Sequence, residues 1–345
     1  MSRTQPFRRI LLIRMDRIGD LILTLPVDRF AGEADVTWWI TTGLGFIARA
    51  ARPPRRFKEL PRRIGVSEFF RLLLETRRQK FDAAVVFHAP WWVSLLLWLA
   101  RIPVRGGVKS QWHSYLFLNQ AIRQKRSRAE TSELEYNFGL VEKIFGHGND
   151  RLKRKPLSLG PTNDDEVRRV LERHGLNRGE YFVVHPGMGG SALNWPIEYY
   201  AAVIQSLSTK APVVITGTAA DEPYLTPLRQ TLASFEGAHP VVWLDQKLNG
   251  TELIAVLSGA RAILAPSTGV LHIAASTGRP TYGIFSPVRV QHPLRWGPQG
   301  AATKVFLPEV QACPGEMNCL GETCARYDCM KTLAPETVSS ELLRL

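Results

Sequence analysis

Short apolar runs alternate with glycine-bearing turns and amphipathic stretches along the chain. The first run, Ile10-Leu11-Leu12-Ile13, has no polar position, as expected of a strand covered on both faces of a sheet. The polar turn Arg14–Asp20 follows, then Leu21-Ile22-Leu23-Thr24-Leu25 up to Pro26, so this stretch predicts a strand, a turn and a helix. Asp35–Ile40 and Ala83–Phe87 read as further strands, and Val104–Lys109 as a short one. Ser67–Arg78 and Glu133–Phe145 have helical spacing, with Ser67 as the expected cap of the former. Arg49–Arg63 reads as loop plus a short helix, and Gln120–Arg128 as a basic, mobile segment.

The polar run from Gly146 to Pro156 interrupts the pattern, after which it restarts. Helices are predicted over Asp164–His174, from Pro196 onward and over Thr251–Ser258. Tyr181–His185, Val213–Thr216 and Ala262–Ala265 read as strands, with Pro280–Phe285 as a last core strand. The expectation is an α/β protein with two doubly wound parallel-sheet domains, residues 1–156 and 157–345, facing a cleft.

No apolar run reaches the roughly 18 residues that cross a bilayer. The nearest, Ala89–Ile102, follows a predicted strand and reads as a helix covering the sheet, its Trp91, Trp92 and Trp98 used mainly for packing. The amino-terminus lacks a signal-peptide pattern, so a cytoplasmic protein is expected. Charge changes the picture further. Residues 1–155 hold 29 of the 44 Lys and Arg but 14 of the 31 Asp and Glu, a net of +15, while the remainder carries −2. An asymmetry of this size points to an anionic partner on the amino-terminal side, whether phosphorylated lipid, acidic membrane or nucleic acid.

Candidate chemistry gathers after the strands. Asp20 lies where ligands of open α/β sheets bind, although an Asp there also suits a helix start. Ser267-Thr268-Gly269 sits between a strand and a helix, an arrangement that offers backbone N–H groups and a helix dipole to phosphate, or a plain cap. His272 falls one turn on. The Gly187–Ser191 turn invites a similar reading, and Asp221 and Glu222 follow a strand where a carboxylate can hold a ribose. Four cysteines are bunched as Cys313-x5-Cys319-x4-Cys324-x4-Cys329. These spacings are wider than common zinc motifs, and reduced or partly paired thiols are the simpler reading.

Four segments in order, Ile10–Pro26, Val184–Pro196, Leu257–Pro287 and the cysteine segment closing on Cys329-Met330 and Pro335-Glu336, resemble glycosyltransferase family 9, the heptosyltransferases of the lipopolysaccharide inner core. The resemblance implies a GT-B architecture and an inverting, metal-independent transfer of heptose from ADP-heptose, without a cofactor. By this likeness Asp20 is the general base, with Arg17 and Gly19 on the acceptor side. Ser191, Asn194, Ser267, Thr268, Gly269 and His272 would meet the donor phosphates. Thr216, Gly217, Asp221 and Glu222 would meet its nucleoside.

The implied partners are a nucleotide-sugar and an anionic lipopolysaccharide core or Kdo-bearing lipid A. The implied setting is a monomer in peripheral contact with the cytoplasmic face of the inner membrane, without nucleic acid. The chain departs from many relatives at Leu193, where they carry Lys, and at Ser267, where they carry Asp. Another nucleotide-sugar or surface glycan within the same family is the alternative reading. A non-catalytic basic nucleotide- or nucleic-acid-binding protein is the reading from another class, and no nucleic-acid motif supports it. Neither half carries G-x-G-x-x-G after its first strand, which argues against a dinucleotide-dependent oxidoreductase.

Overall fold

A computed structural model describes residues 7–146, 154–161, 163–189, 192–310 and 313–345. The described residues through Arg126, together with Glu133–Leu157, form one compact unit, and Ser127–Ser132 with Ser158–Leu345 form a second.

Unit 1 is built on a six-stranded parallel sheet of β1 (Arg9–Arg14), β2 (Asp35–Thr41), β3 (Phe57–Leu60), β4 (Ala83–His88), β5 (Val104–Val108) and β6 (Gln120–Ile122), in the order β3-β2-β1-β4-β5-β6. The central strands β1 and β4 are buried on both faces, which is why their sequences are unbroken apolar runs. Leu72 and Leu73 of the helix Val66–Gln79, and Val93, Leu96 and Leu97 of the helix Trp91–Leu99, pack with Leu11, Ile13 and Val86. Each such side chain contributes about 1.5–3 kcal/mol by leaving water.

Unit 2 repeats the plan with β7 (Phe182–Val184), β8 (Val213–Ile215), β9 (Val241–Trp243), β10 (Ala262–Pro266), β11 (Thr281–Ile284) and β12 (Thr303–Phe306), in the order β12-β11-β10-β7-β8-β9. Its core joins Phe182, Val184, Val213, Ile215 and Leu264 to Val203 and Ile204 of the helix Ile197–Leu207. Taking the strands of each unit in sequence, both sheets run 3-2-1-4-5-6. The direction of winding therefore reverses between β1 and β4 in unit 1 and between β7 and β10 in unit 2. Ligands of doubly wound sheets bind outside the strand ends at such a point.

Several expectations need correction. Arg49–Arg63 holds the end of the helix Gly45–Ala50 and then strand β3, not loop plus a short helix. Gln120–Arg128 contains edge strand β6 and a 3-10 turn, Arg126–Arg128. The helix Val66–Gln79 is capped by Gly65, with Ser67 already inside it. The strand Thr281–Ile284 is not the last, because β12 pairs beside it, and β9 went unpredicted. Trp92 is buried as expected, whereas Trp91 and Trp98 are exposed. Among the described residues, no helix is long and apolar enough to cross a membrane.

Candidate active site

In unit 1 the chain leaves β1 at Arg14 and enters the short helix Ile18–Ile22, with Asp20 in its first turn. Arg14 is fully buried, and a buried guanidinium requires carboxylates around it. It donates to Asp16 Oδ1 at 2.8 Å, to Glu133 Oε1 at 3.4 Å and, through Nη2, to Asp20 Oδ1. Arg126 donates to the same Glu133 oxygen. Backbone ties hold the carboxylate-bearing turn in place. Thr24 Oγ1 donates to the Asp20 carbonyl at 2.6 Å, and Asn137 Nδ2 donates to Thr24 Oγ1 at 3.0 Å. The helix Glu133–Phe145 thus supplies both a carboxylate to the cluster and an anchor for the turn.

Three carboxylates against two guanidinium groups leave this cluster one negative charge in excess, which works against full ionisation of all three. Burial pushes the Asp20 pKa up to about 6; Arg14 pulls the other way, and Asp16 and Glu133 push with burial. Burial alone would lower Arg14, but the Asp20, Asp16 and Glu133 charges outweigh it and raise its pKa. Arg14 holds one oxygen of Asp20, Oδ1, through its Nη2.

His88 ends β4, beside β1 across the switch point. Its pKa is lowered by burial and then by Arg14, so it is neutral near pH 7. It also lines a cavity of about 1270 Å³ within unit 1, together with Arg62, Arg63, Gln111 and His113. Of the residues expected on the acceptor side, Gly19 is buried and Arg17 is the exposed cap of the short helix. Arg14, Asp16, His88 and Glu133 were missed as members of this site. The signals for Arg14 and His88 were present, since each is a polar residue closing an apolar strand. Glu133 carried none, lying more than a hundred residues from its partner.

In unit 2 β10 runs into Ser267 and Thr268 and then the helix Gly269–Ser276. Thr268 makes no side-chain capping bond, leaving the first N–H groups of the helix without the usual side-chain acceptor. Thr268 Oγ1 and His272 Nδ1 are both buried without a hydrogen-bond partner. Burial drives the His272 pKa down to about 4, so its imidazole is neutral. An unpartnered hydroxyl and ring nitrogen at the start of a helix form a cradle suited to an anion.

Across this switch point β7 leads into Gly187, where a Cβ would strike the Asp221 carboxylate, so only glycine fits. Ser191 lies outside the described residues. Asn194 is engaged in holding the turn: Nδ2 donates to the Pro186 carbonyl at 2.8 Å, while Oδ1 accepts from Trp195 N and Tyr200 OH. Thr216 Oγ1 meets buried His185 Nδ1 at 3.1 Å, and Gly217 follows. Asp221 is also buried, its Oδ2 accepting from Thr218 N and Oγ1 in a capping box. Glu222 accepts from Thr226 and Gln246. Thr216, Asp221 and Asn194 therefore already have protein partners, whereas Thr268 and His272 do not.

The four cysteines are free thiols lining one cavity of about 450 Å³ beside Trp195. Burial, then the other three thiols, pushes the Cys329 pKa up. No cluster of three or more His, Cys, Asp or Glu among the described residues is arranged to hold a metal.

Two Rossmann-like units, each with polar side chains gathered at its switch point, define a doubly wound α/β protein. The sequence pattern of glycosyltransferase family 9 (heptosyltransferase) matches residues 69–325, and the chain belongs to that family. A Haemophilus influenzae protein designated a glycosyltransferase is 27% identical over 299 residues, covering 84% of this chain and 86% of that protein. Lipooligosaccharide heptosyltransferase 2 of the same organism is 27% identical over 220 residues, covering 62% of this chain and 63% of its own. The solved structure of E. coli ADP-heptose lps heptosyltransferase II superposes with a TM-score of 0.78 at 19% identity, over 97% of this chain and 98% of that one. The fold is thus the GT-B fold of these enzymes, and the protein is a glycosyltransferase related to the lipopolysaccharide heptosyltransferases.

Proposed function

We propose that the enzyme transfers heptose from ADP-heptose to the inner core of lipopolysaccharide, with inversion and with Asp20 as general base. The observation that carries this reading is the position of Asp20 in the first helical turn after β1, at the switch point and gripped by Arg14, in a chain of family 9. The sugar and acceptor follow the named relatives. In the proposed step an acceptor hydroxyl gives its proton to Asp20 Oδ2 as its oxygen bonds to the anomeric carbon. The bond from that carbon to the diphosphate oxygen breaks, and the electron pair leaves on the diphosphate. Thr268, the Gly269 end of the helix and neutral His272 meet that charge with hydrogen-bond donors. No step is assigned to a metal. The proposed domains are residues 1–156 for the acceptor and 157–345 for the donor. The acceptor enters the cavity lined by His88 and Arg62. A lipid-borne acceptor puts the enzyme in peripheral contact with the inner membrane.

A second reading is favoured by Leu193, which stands where many relatives have a lysine: a family 9 transferase with another nucleotide-sugar or surface-glycan acceptor. The test is transfer from a panel of nucleotide-sugars, ADP-heptose included, onto heptose-deficient core acceptors, with wild type beside Asp20→Asn. Transfer from ADP-heptose that collapses in the variant while donor binding survives is the expected result. Transfer from a different donor selects the second reading, and an active Asp20→Asn removes the assigned base.

A further inference from the structure

Among the described residues, eight of the thirteen most exposed large apolar side chains lie between Val66 and Leu116. They sit on three helices of unit 1 that touch in sequence, Val66–Gln79, Trp91–Leu99 and Trp112–Phe117. The first helix has two apolar faces. One is buried through Leu72 and Leu73; the other carries Val66, Phe70 and Leu74, spaced four apart and 75%, 56% and 53% exposed. Spacing of four keeps these three on one face, so the exposure is a stripe and not a scatter. Aromatic rings continue it across the other helices. Trp91 lies 6.2 Å from Trp112, Trp112 6.3 Å from Phe117 and Phe117 5.8 Å from Trp98. Val66, Trp91 and Trp112 also form the wall of the large cavity, so cavity and patch are continuous.

The charge on this segment selects the partner. Residues 61–117 carry nine Lys and Arg against three Asp and Glu. Of those acids, Glu75 pairs with Lys58, and Asp82 is occupied by the Arg8 and Arg9 backbone. Arg62, Arg63, Arg71, Arg77 and Arg78 are exposed beside the apolar stripe, and Lys109 lies 4.8 Å over the Tyr115 ring. Tryptophan and tyrosine among exposed leucine, phenylalanine and arginine is the composition of a surface seated at a lipid headgroup layer. An apolar face of this extent without such a role is an aggregation liability.

We propose that this three-helix face of unit 1 docks on an anionic lipid bilayer, with Phe70, Leu74 and Trp98 entering the headgroup region and the flanking arginines meeting lipid phosphates. The proposal rests on the reading of a lipid-borne acceptor but is tested without transfer. Cosedimentation of the full chain with phosphatidylcholine vesicles, with and without phosphatidylglycerol, reads binding directly. Wild type is expected to bind the anionic vesicles, to release at high salt and to shift its tryptophan emission to shorter wavelength on binding. Phe70→Ser/Leu74→Ser/Trp98→Ser is expected to bind at least about tenfold more weakly while keeping its unfolding midpoint, since all three side chains are exposed. Wild type that ignores anionic vesicles, or a triple variant that binds them equally, overturns the proposal. Self-association abolished by the triple substitution, with no vesicle binding, overturns it in favour of a second copy on this face. Vesicle binding with no transfer from any donor sinks the functional reading alone, and transfer to a soluble acceptor without vesicle binding sinks the docking alone.

Discussion

The two switch points share a topology and handle buried polarity in opposite ways. Between β1 and β4, Arg14, Asp16, Asp20, Glu133 and Arg126 satisfy one another through ion pairs. Between β7 and β10, the Thr268 hydroxyl and the His272 Nδ1 are neutral, buried and unsatisfied. One strand order thus supports a site that is charged before any ligand arrives and another whose hydrogen-bonding capacity is left for one. The difference fits the roles proposed for them. A base needs a carboxylate whose pKa is set by its surroundings, and a leaving diphosphate needs donors that nothing else has claimed.

The sharpest way to break this contrast is Asp20→Asn, which keeps the shape and the acceptor oxygen for Arg14 but cannot take a proton. Turnover should fall about a hundred- to ten-thousand-fold with nucleotide affinity unchanged; equal losses in both would make Asp20 a structural residue. Arg14→Met should be next in effect. It strands Asp16 and Asp20 and leaves Glu133 to Arg126 alone, and urea unfolding should report a loss of about 3–5 kcal/mol. An unchanged midpoint would mean that the cluster is hydrated.

The pH dependence sharpens the same point. The folded state raises Asp20 from 3.8 to about 6, so it holds this proton more tightly than the unfolded chain does. The stability contributed by that proton is complete below the unfolded value and is lost as pH rises through the folded one. The proposed base becomes active over the same range, so kcat/KM should climb about tenfold per unit up to pH 6 and then level. Asp20→Asn should flatten that limb.

Thr268→Val is the smallest and most discriminating change. Removing a buried hydroxyl with no partner should leave the unliganded stability equal or up to about 1 kcal/mol higher. Affinity for a nucleoside diphosphate, read by calorimetry, should drop about tenfold. Loss of unliganded stability would show that Thr268 is already satisfied and that the two sites do not differ in this way.

The strands that the hydrophobic pattern predicts, at Ile10–Ile13, Asp35–Ile40, Ala83–Phe87, Val104–Lys109, Tyr181–His185, Val213–Thr216, Ala262–Ala265 and Pro280–Phe285, are the inner strands of the two sheets. The ones it missed, β3, β6, β9 and β12, are the four edges. An inner strand has neighbours on both sides, so most of its positions are apolar, and in β1 and β4 the run is nearly unbroken. An edge strand such as Phe57-Lys58-Glu59-Leu60 or Thr303-Lys304-Val305-Phe306 is half solvated. It is short and mixed in character, and only the neighbour it pairs with makes it a strand.

The same division runs through the site. The sequence by itself determined the doubly wound class, the asymmetry of charge, and the loops on which Asp20 and the Ser267–His272 turn would lie, because periodicity and strand-end position are local properties. Only the tertiary structure decided which of the polar residues there are already occupied. It brought Glu133 to Arg14, bound Asn194 and Asp221 to their own backbone surroundings, and left Thr268 and His272 open. Hydrogen bonds and burial depend on what the chain brings close from far away, and no local pattern records them.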